Sequence, residues 1–395
     1  MALVFAGCGG QGAGAPSGIP RVFRMGLTPF AQGTDAESVD RTWDFVLAHG
    51  DLVAIHIDPF EGLPWEALER GEPPAAFRED FAGITERVRP DATLYVAINP
   101  LNTGRDGVAP NSEGGAFPES LGPAEFSNPR LRQAYRNYAR FVVETLEPDY
   151  LAVGIEVNMY ALAAGADFAS LVELHKEVYR DLKSTHPELI ILATFQTEFM
   201  HGFAQWPLLG QFGPELDRVG LSLYPSGVGF RPDEIPADWI SIAASVSERP
   251  VVITETGYGT RPFEGTDFSA PGSDQLQRDY LEWLLGKAEE VQAEFVVWFF
   301  PADIPGVLEG DGTDPPEFDN VGFYLHMGLV REDFSEKPSL ELWNRTVRRP
   351  FGLRASSSSE APAASPDERA IVDYRPTRST PRTGKSGVSA KSSPP

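Results

Sequence analysis

The chain has 395 residues, 42% hydrophobic and 11% aromatic, which is enough apolar surface for a large folded core and too much for an intrinsically disordered protein. Its 57 acidic and 33 basic side chains leave a formal charge of −24, a field that repels phosphate backbones and excludes nucleic-acid binding. The single cysteine excludes an internal disulfide and a cysteine-based zinc cluster, and no apolar stretch reaches the roughly 20 residues of a membrane span.

Residues 1–20 open with Met1-Ala-Leu-Val-Phe-Ala-Gly-Cys8, a short apolar run ending in small residues, and continue as a Gly/Ala linker. The run resembles the end of a bacterial lipoprotein signal, in which the cysteine after Ala-Gly is lipidated. That resemblance implies export to the cell envelope, with membrane contact only through a lipid anchor at Cys8.

Between residues 21 and 350 one rhythm repeats: an apolar, β-branched run, a loop, then a stretch of helical period. Eight such runs are Val22–Phe30, Leu52–Asp58, Thr93–Asn99, Tyr150–Asn158, Leu189–Gln196, Arg218–Tyr224, Val251–Tyr258 and Phe295–Phe300. No Asn-Gly or Asp-Gly turn joins consecutive runs, so neighbouring strands are expected to be parallel with crossover helices. Helix starts are marked by a capping box at Thr34-Asp-Ala-Glu37, by Asn128-Pro129 and by Ser273-Asp274, each followed by an apolar stripe. Eight strands with interleaved helices predict a single-domain α/β (β/α)₈ barrel. A doubly wound open sheet is the rival, weakened because no Gly-rich turn follows the first strand. Beyond residue 350 the composition turns to Ser, Pro, Thr, Arg and Lys, which predicts a disordered tail over 351–395.

In such a barrel the reactive groups stand at the C-terminal ends of the strands. The fourth run carries Glu156 in Leu151-Ala-Val-Gly-Ile-Glu156-Val-Asn158, and the seventh carries Glu255 in Val251-Val-Ile-Thr-Glu255. Two glutamates facing one mouth from different strands suit glycoside hydrolysis, which needs one carboxyl protonated towards the leaving oxygen and one ionised at the oxocarbenium-like carbon.

Ile253-Thr-Glu255-Thr-Gly-Tyr258, Gly220-Leu-Ser-Leu-Tyr224-Pro225 and Val297-Trp298-Phe299 resemble the clan of retaining glycosidases on (β/α)₈ barrels, most closely arabinogalactan endo-β-galactanases and related β-glycanases. Gly328-Leu-Val-Arg-Glu-Asp-Phe-Ser-Glu-Lys-Pro338 is similar to that clan's closing segment. The resemblance implies that Glu156 is the acid/base and Glu255 the nucleophile. It further implies that Tyr224 hydrogen-bonds the nucleophile and that Trp298 is a platform for a sugar ring. One departure stands out: most of the clan has an asparagine before the acid/base, binding the sugar 2-hydroxyl, and here that place is Ile155. Asn158 shares the strand parity of Glu156, which would point it into the cleft.

His56 and Asp58 at the end of the second run, Asn99 at the end of the third, and Gln196 with Glu198 after the fifth are further hydroxyl-binding candidates, with loop or capping roles as the alternative. Trp65 and Trp206, on the loops after runs two and five, would serve as exposed subsites or as lids on the core. The six histidines have no metal-ligand spacing, and there is no P-loop and no G-x-S-x-G elbow, so no metal or cofactor is expected. A structural calcium on Glu309-Gly-Asp311-Gly-Thr-Asp314 is a minor alternative. The expected partner is a β-linked carbohydrate. Two readings follow: a retaining glycosidase, or a non-catalytic glycan-binding surface lipoprotein on a degenerate barrel. Sugar, linkage and endo or exo action reside in loop shapes such as 102–127, and oligomeric state is left open.

Overall fold

The computed structural model describes residues 19–112, 115–308 and 321–352; Cys8, the acidic 309–314 loop and the tail beyond 352 lie outside the described residues. Eight parallel strands close into one barrel: β1 (Arg24–Leu27), β2 (Leu52–Ile57), β3 (Thr93–Ile98), β4 (Tyr150–Ala152), β5 (Ile190–Gln196), β6 (Arg218–Leu223), β7 (Val251–Thr256) and β8 (Phe295–Trp298). Each pairs with its neighbours in sequence, and β8 returns to β1 with Arg24 opposite Phe295 and Leu27 opposite Trp298. All eight sequence runs therefore supply barrel strands, and closure excludes the open sheet.

Alternation along the strands sorts side chains into two cores. Leu52, Ala54, Tyr95, Ala97, Ala152, Ile155, Leu192, Val252, Phe295 and Val297 fill the lumen. The opposite parity, including Val53, Ile55, Val96, Leu151, Ile191, Leu221, Ile253 and Trp298, packs under the helices. Each such aliphatic or aromatic side chain contributes about 1.5–3 kcal/mol on burial. The lumen is close-packed at two glycines: a Cβ on Gly26 would meet Leu52 Cδ2, and one on Gly220 would lie 2.9 Å from Leu192 Cδ1, so either leucine would have to shift.

Helix starts follow their caps with one correction. Asn128 accepts from Arg130 N and Ser273 from Leu276 N, as expected of N-caps. The first helix, Ala36–His49, is capped by Asp35, whose carboxylate accepts from Ser38 N at 2.9 Å, rather than by Thr34 in a capping box. Asp35 lies one residue nearer the helix and offers two acceptor oxygens, so it takes the place of the threonine hydroxyl.

Two local irregularities shape the mouth. The fourth run is a strand only through Ala152; it then bends, and Val157–Ala163 is a helix. Along β7 the register to β6 shifts, with Leu221 opposite Ile253 but Ser222 opposite Glu255. The extra residue, Thr254, turns its hydroxyl to Leu221 O, and Thr256 bonds Leu223 O, so the intervening Glu255 is left facing the mouth.

Candidate active site

Both expected glutamates stand at the C-terminal mouth and are largely buried, with side-chain exposures of 15% for Glu156 and 11% for Glu255. Glu156 ends the bend after β4 in the left-handed region, at φ 51° and ψ 41°, an uncommon conformation for a non-glycine residue that clusters at functional sites. Its N–H is held by Thr194 Oγ1 at 2.8 Å, and its Oε1 accepts from Ser222 Oγ at 2.7 Å. Ser222 is also the register partner of Glu255, so the serine that holds the first carboxylate stands beside the residue that carries the second.

Glu255 receives the Tyr224 hydroxyl on Oε1 at 2.6 Å, and His56 Nε2 stands 3.2 Å from Oε2. The two contacts fix the direction of its oxygens. Glu156 is raised above the ordinary carboxylate range, first by burial and then by the charge of Glu255, against the opposing pull of Arg105 and the Ser222 hydrogen bond. Two like carboxylates thus sit in unlike surroundings, one favouring its protonated form and one anchored by donors.

The other expected site residues divide. Tyr224 and His56 hold Glu255 as described. Asp58 is not a free sugar ligand: Arg105 grips it with Nη2 at 2.6 Å and Nη1 at 3.1 Å, and Asn99 Nδ2 donates to it at 3.1 Å. Asn99 is fully buried, and its Oδ1 accepts from Ile155 N at 3.2 Å. Asn158 does not enter the cleft. It lies on the helix that follows Glu156, so strand parity does not apply, and its buried amide bonds Gln196 O and Gln205 Oε1.

Trp298 and Trp65 are corrections as well. Trp298 has the outward parity of β8 and is fully buried under the helices, its indole donating to Met327 O at 2.9 Å. The ring that faces the mouth is its neighbour Phe299, edge-on to His56 at 5.0 Å between centroids. Trp65 is fully buried, with its N–H on Ala109 O and its ring against Phe117. Trp206, 7% exposed, is likewise a core lid.

Four contributors escaped the sequence reading. Ser222 and Phe299 carry the lumen parity of Tyr224 and Val297, a signal that was present and unused. Tyr324 packs edge-on against Tyr224 at 5.4 Å, and its hydroxyl is held protonated by burial and by the charges of both glutamates. Arg105, from the loop after β3, places Nε 3.4 Å from Glu156 Oε2; a buried arginine in an irregular loop has no periodic signature. Phe30, Phe299, Phe300 and Tyr324 pack on one another in an aromatic cluster beside Tyr224. Among the described residues no three His, Cys, Asp or Glu side chains form a group able to hold a metal ion.

No protein-family model matches the chain, and no curated protein matches it in sequence. Solved structures match it in shape. An exo-β-1,4-mannosidase from an Opitutaceae bacterium, strain TAV5, superposes with a TM-score of 0.59 at 16% identity over 82% of this chain, which spans only 59% of that protein. The GH5_18 protein from Streptomyces cattleya, solved with Manb1-4GlcNAc, gives 0.61 at 15% identity, covering 86% of this chain and 83% of that one. Fungal β-1,4-galactanases give 0.53 at 14% identity, covering 82% and 94%. At these identities the likeness is one of fold: the chain has the eight-stranded barrel of these glycoside hydrolases.

Proposed function

We propose that the protein is a retaining glycoside hydrolase acting on a β-linked poly- or oligosaccharide, with Glu255 as nucleophile and Glu156 as acid/base. The observation that carries this is the asymmetry of the pair: Glu255 is fixed by Tyr224 and His56, while Glu156 is pushed towards its protonated form by burial and by Glu255 itself. In the first step a Glu255 oxygen attacks the anomeric carbon as the glycosidic C–O bond breaks, and the Glu156 proton passes to the departing oxygen. The resulting ester removes the charge of Glu255, so Glu156 loses its main like-charge neighbour and can accept a proton from the water that attacks in the second step. No cofactor enters either step.

The test is reducing-end release from β-galactans, β-mannans, β-glucans and xylans, with Glu255→Ala as control. Cleavage by the parent and none by the variant supports the reading and names the substrate. The second reading, a glycan-binding lipoprotein, has Ile155 in its favour, since that side chain is packed into the lumen and offers no sugar contact. Binding without cleavage by the parent would replace the first reading with it. Export with a lipid anchor at Cys8 is part of the same proposal; metabolic labelling with an alkynyl fatty acid should mark the parent and not Cys8→Ser.

A further inference from the structure

Arg105 is 6% exposed, and its backbone is left-handed at φ 58°, the same uncommon region that Glu156 occupies. A short loop enforces this: Leu101 bridges Val108, Asn102 N donates to Gly107 O at 3.0 Å, and Asn102 Oδ1 accepts from Asp106 N at 3.1 Å. Within the loop Nη1 also donates to Asn102 O and Thr103 O. Asp58 takes both terminal nitrogens, which leaves Nε as the one guanidinium nitrogen with no hydrogen-bond partner among the described residues, buried and 3.4 Å from Glu156 Oε2. Asn99 closes the circuit by holding Asp58 with its amide nitrogen and the Ile155 N–H with its amide oxygen. The path therefore runs from the backbone before Glu156, through Asn99, Asp58 and Arg105, to the carboxylate of Glu156.

We propose that Arg105 is a positioning residue, locked on Asp58, that holds Glu156 from the side opposite Ser222 and sets how readily that carboxyl gives up and regains its proton. This rests on the reading of Glu156 as acid/base and deepens it. A free arginine would keep Glu156 ionised and spoil it as an acid; with no arginine, Glu255 and Asp58 would leave it too reluctant to serve as a base. A guanidinium with its charge partly answered by Asp58 lies between the two. When Glu255 is esterified its charge disappears, whereas Arg105 remains, and the balance on Glu156 swings towards the base.

The groups that bear on Glu156 are Glu255 from β7, Ser222 and Tyr224 from β6, Asp58 beyond β2, Arg105 beyond β3, Glu198 after β5 and Tyr324. The titration of Glu156 is read directly by side-chain ¹³C NMR of the full chain labelled at the glutamate carboxyl, with Glu156→Gln to assign the resonance. Arg105→Met should raise the Glu156 midpoint by about one pH unit. Asp58→Asn, which frees the charge of Arg105, should lower it. The double variant should fall between the two single variants, and Arg105→Lys, which keeps a cation without the fork, should fall between Arg105→Met and the parent. The alkaline limb of kcat/KM should move with the NMR midpoint in each variant.

Shifts of the two single variants in the same direction, or no shift in either, would overturn the proposal and leave Arg105 a structural brace. Because the NMR titration needs no substrate, it stands apart from the glycosidase reading, which fails if Glu255→Ala retains turnover.

Discussion

The two ends of the barrel use carboxylates in opposite ways. At the end where the strands begin, Asp51, Asp149 and Asp217 each stand immediately before an even-numbered strand, and each accepts the N–H of a residue on the strand before it: Met25 at 2.7 Å, Leu94 at 2.8 Å and Ile191 at 2.8 Å. Cations complete two of them, Arg21 on Asp51 and Lys183 on Asp217. At the other end Glu156 lies in the field of Glu255 and Glu198 in that of Glu156, and donors answer only part of the charge. A concavity of about 740 Å³ lies at the strand-start end, lined by Glu144, Glu147, Asp149 and Glu188 among others. The proposed acid/base pair lies at the other end, and volume does not mark it. Unlike surroundings for like groups do, because only they set two carboxyls to different protonation states.

The largest effect expected from breaking this comparison is at the mouth. Glu156→Gln should lower kcat by about 10²–10⁴-fold on a glycan, and by far less on an aryl glycoside whose leaving group needs no proton. Steady-state rates on the two substrate types check this, and an equal loss on both would remove Glu156 from the acid role. Tyr224→Phe deletes the 2.6 Å hydrogen bond to Glu255. A hydrogen bond to a charged group is worth about 1.5–3 kcal/mol, so a loss of about 10–100-fold in kcat is expected with little change in urea midpoint.

The same kind of deletion at the opposite end should do the reverse. Asp217→Ala leaves Ile191 N–H, the Tyr179 hydroxyl and the Lys183 ammonium without their acceptor. The expected cost is about 1–3 kcal/mol of stability, read from urea unfolding, with kcat per folded molecule unchanged. A fall in kcat at constant stability would mean that the two ends are coupled.

How far the sequence discloses this contrast depends on where periodicity holds. Strand alternation carries the fold: all eight runs became barrel strands, and residues of lumen parity, such as His56, Asn99, Ser222, Tyr224 and Phe299, reach the mouth. The reading failed where regular backbone ends. Strand parity misplaces Asn158, because the chain has already turned into a helix at Val157. At Trp298 the resemblance conflicts with the residue's own outward parity, which is legible from Val297 and Phe299 on either side of it. Arg105 left no trace in any period, because its contact with Glu156 depends on a loop held in a left-handed turn by hydrogen bonds from Asn102. Irregular backbone stabilised by its own polar groups is where side-chain pattern stops reporting position.

The smallest and most discriminating expectation concerns the pH dependence of stability. Glu198 sits behind Tyr224, accepting its backbone N–H at 3.0 Å and Gln196 Nε2 at 2.6 Å. Burial pushes it up from 4.5 to about 7 despite those bonds. A carboxyl raised in the folded state contributes stability that is full below its ordinary value and lost as pH rises through the folded one, here between about pH 4.5 and 7. Asp217 shows the opposite sign. Burial would raise it, but the Ile191 N–H, Lys183 and Tyr179 together hold it below 3.8, so its contribution is present at neutral pH and fades as pH falls into the acid range. The urea midpoint of Glu198→Gln should therefore gain on that of the parent as pH rises from 4.5 to 7, while Asp217→Asn should lessen the loss only at the acid end. If the difference between Glu198→Gln and the parent does not change over that range, Glu198 ionises like an ordinary surface acid. The asymmetry on which the acid/base assignment rests would then be confined to Glu156 and Glu255.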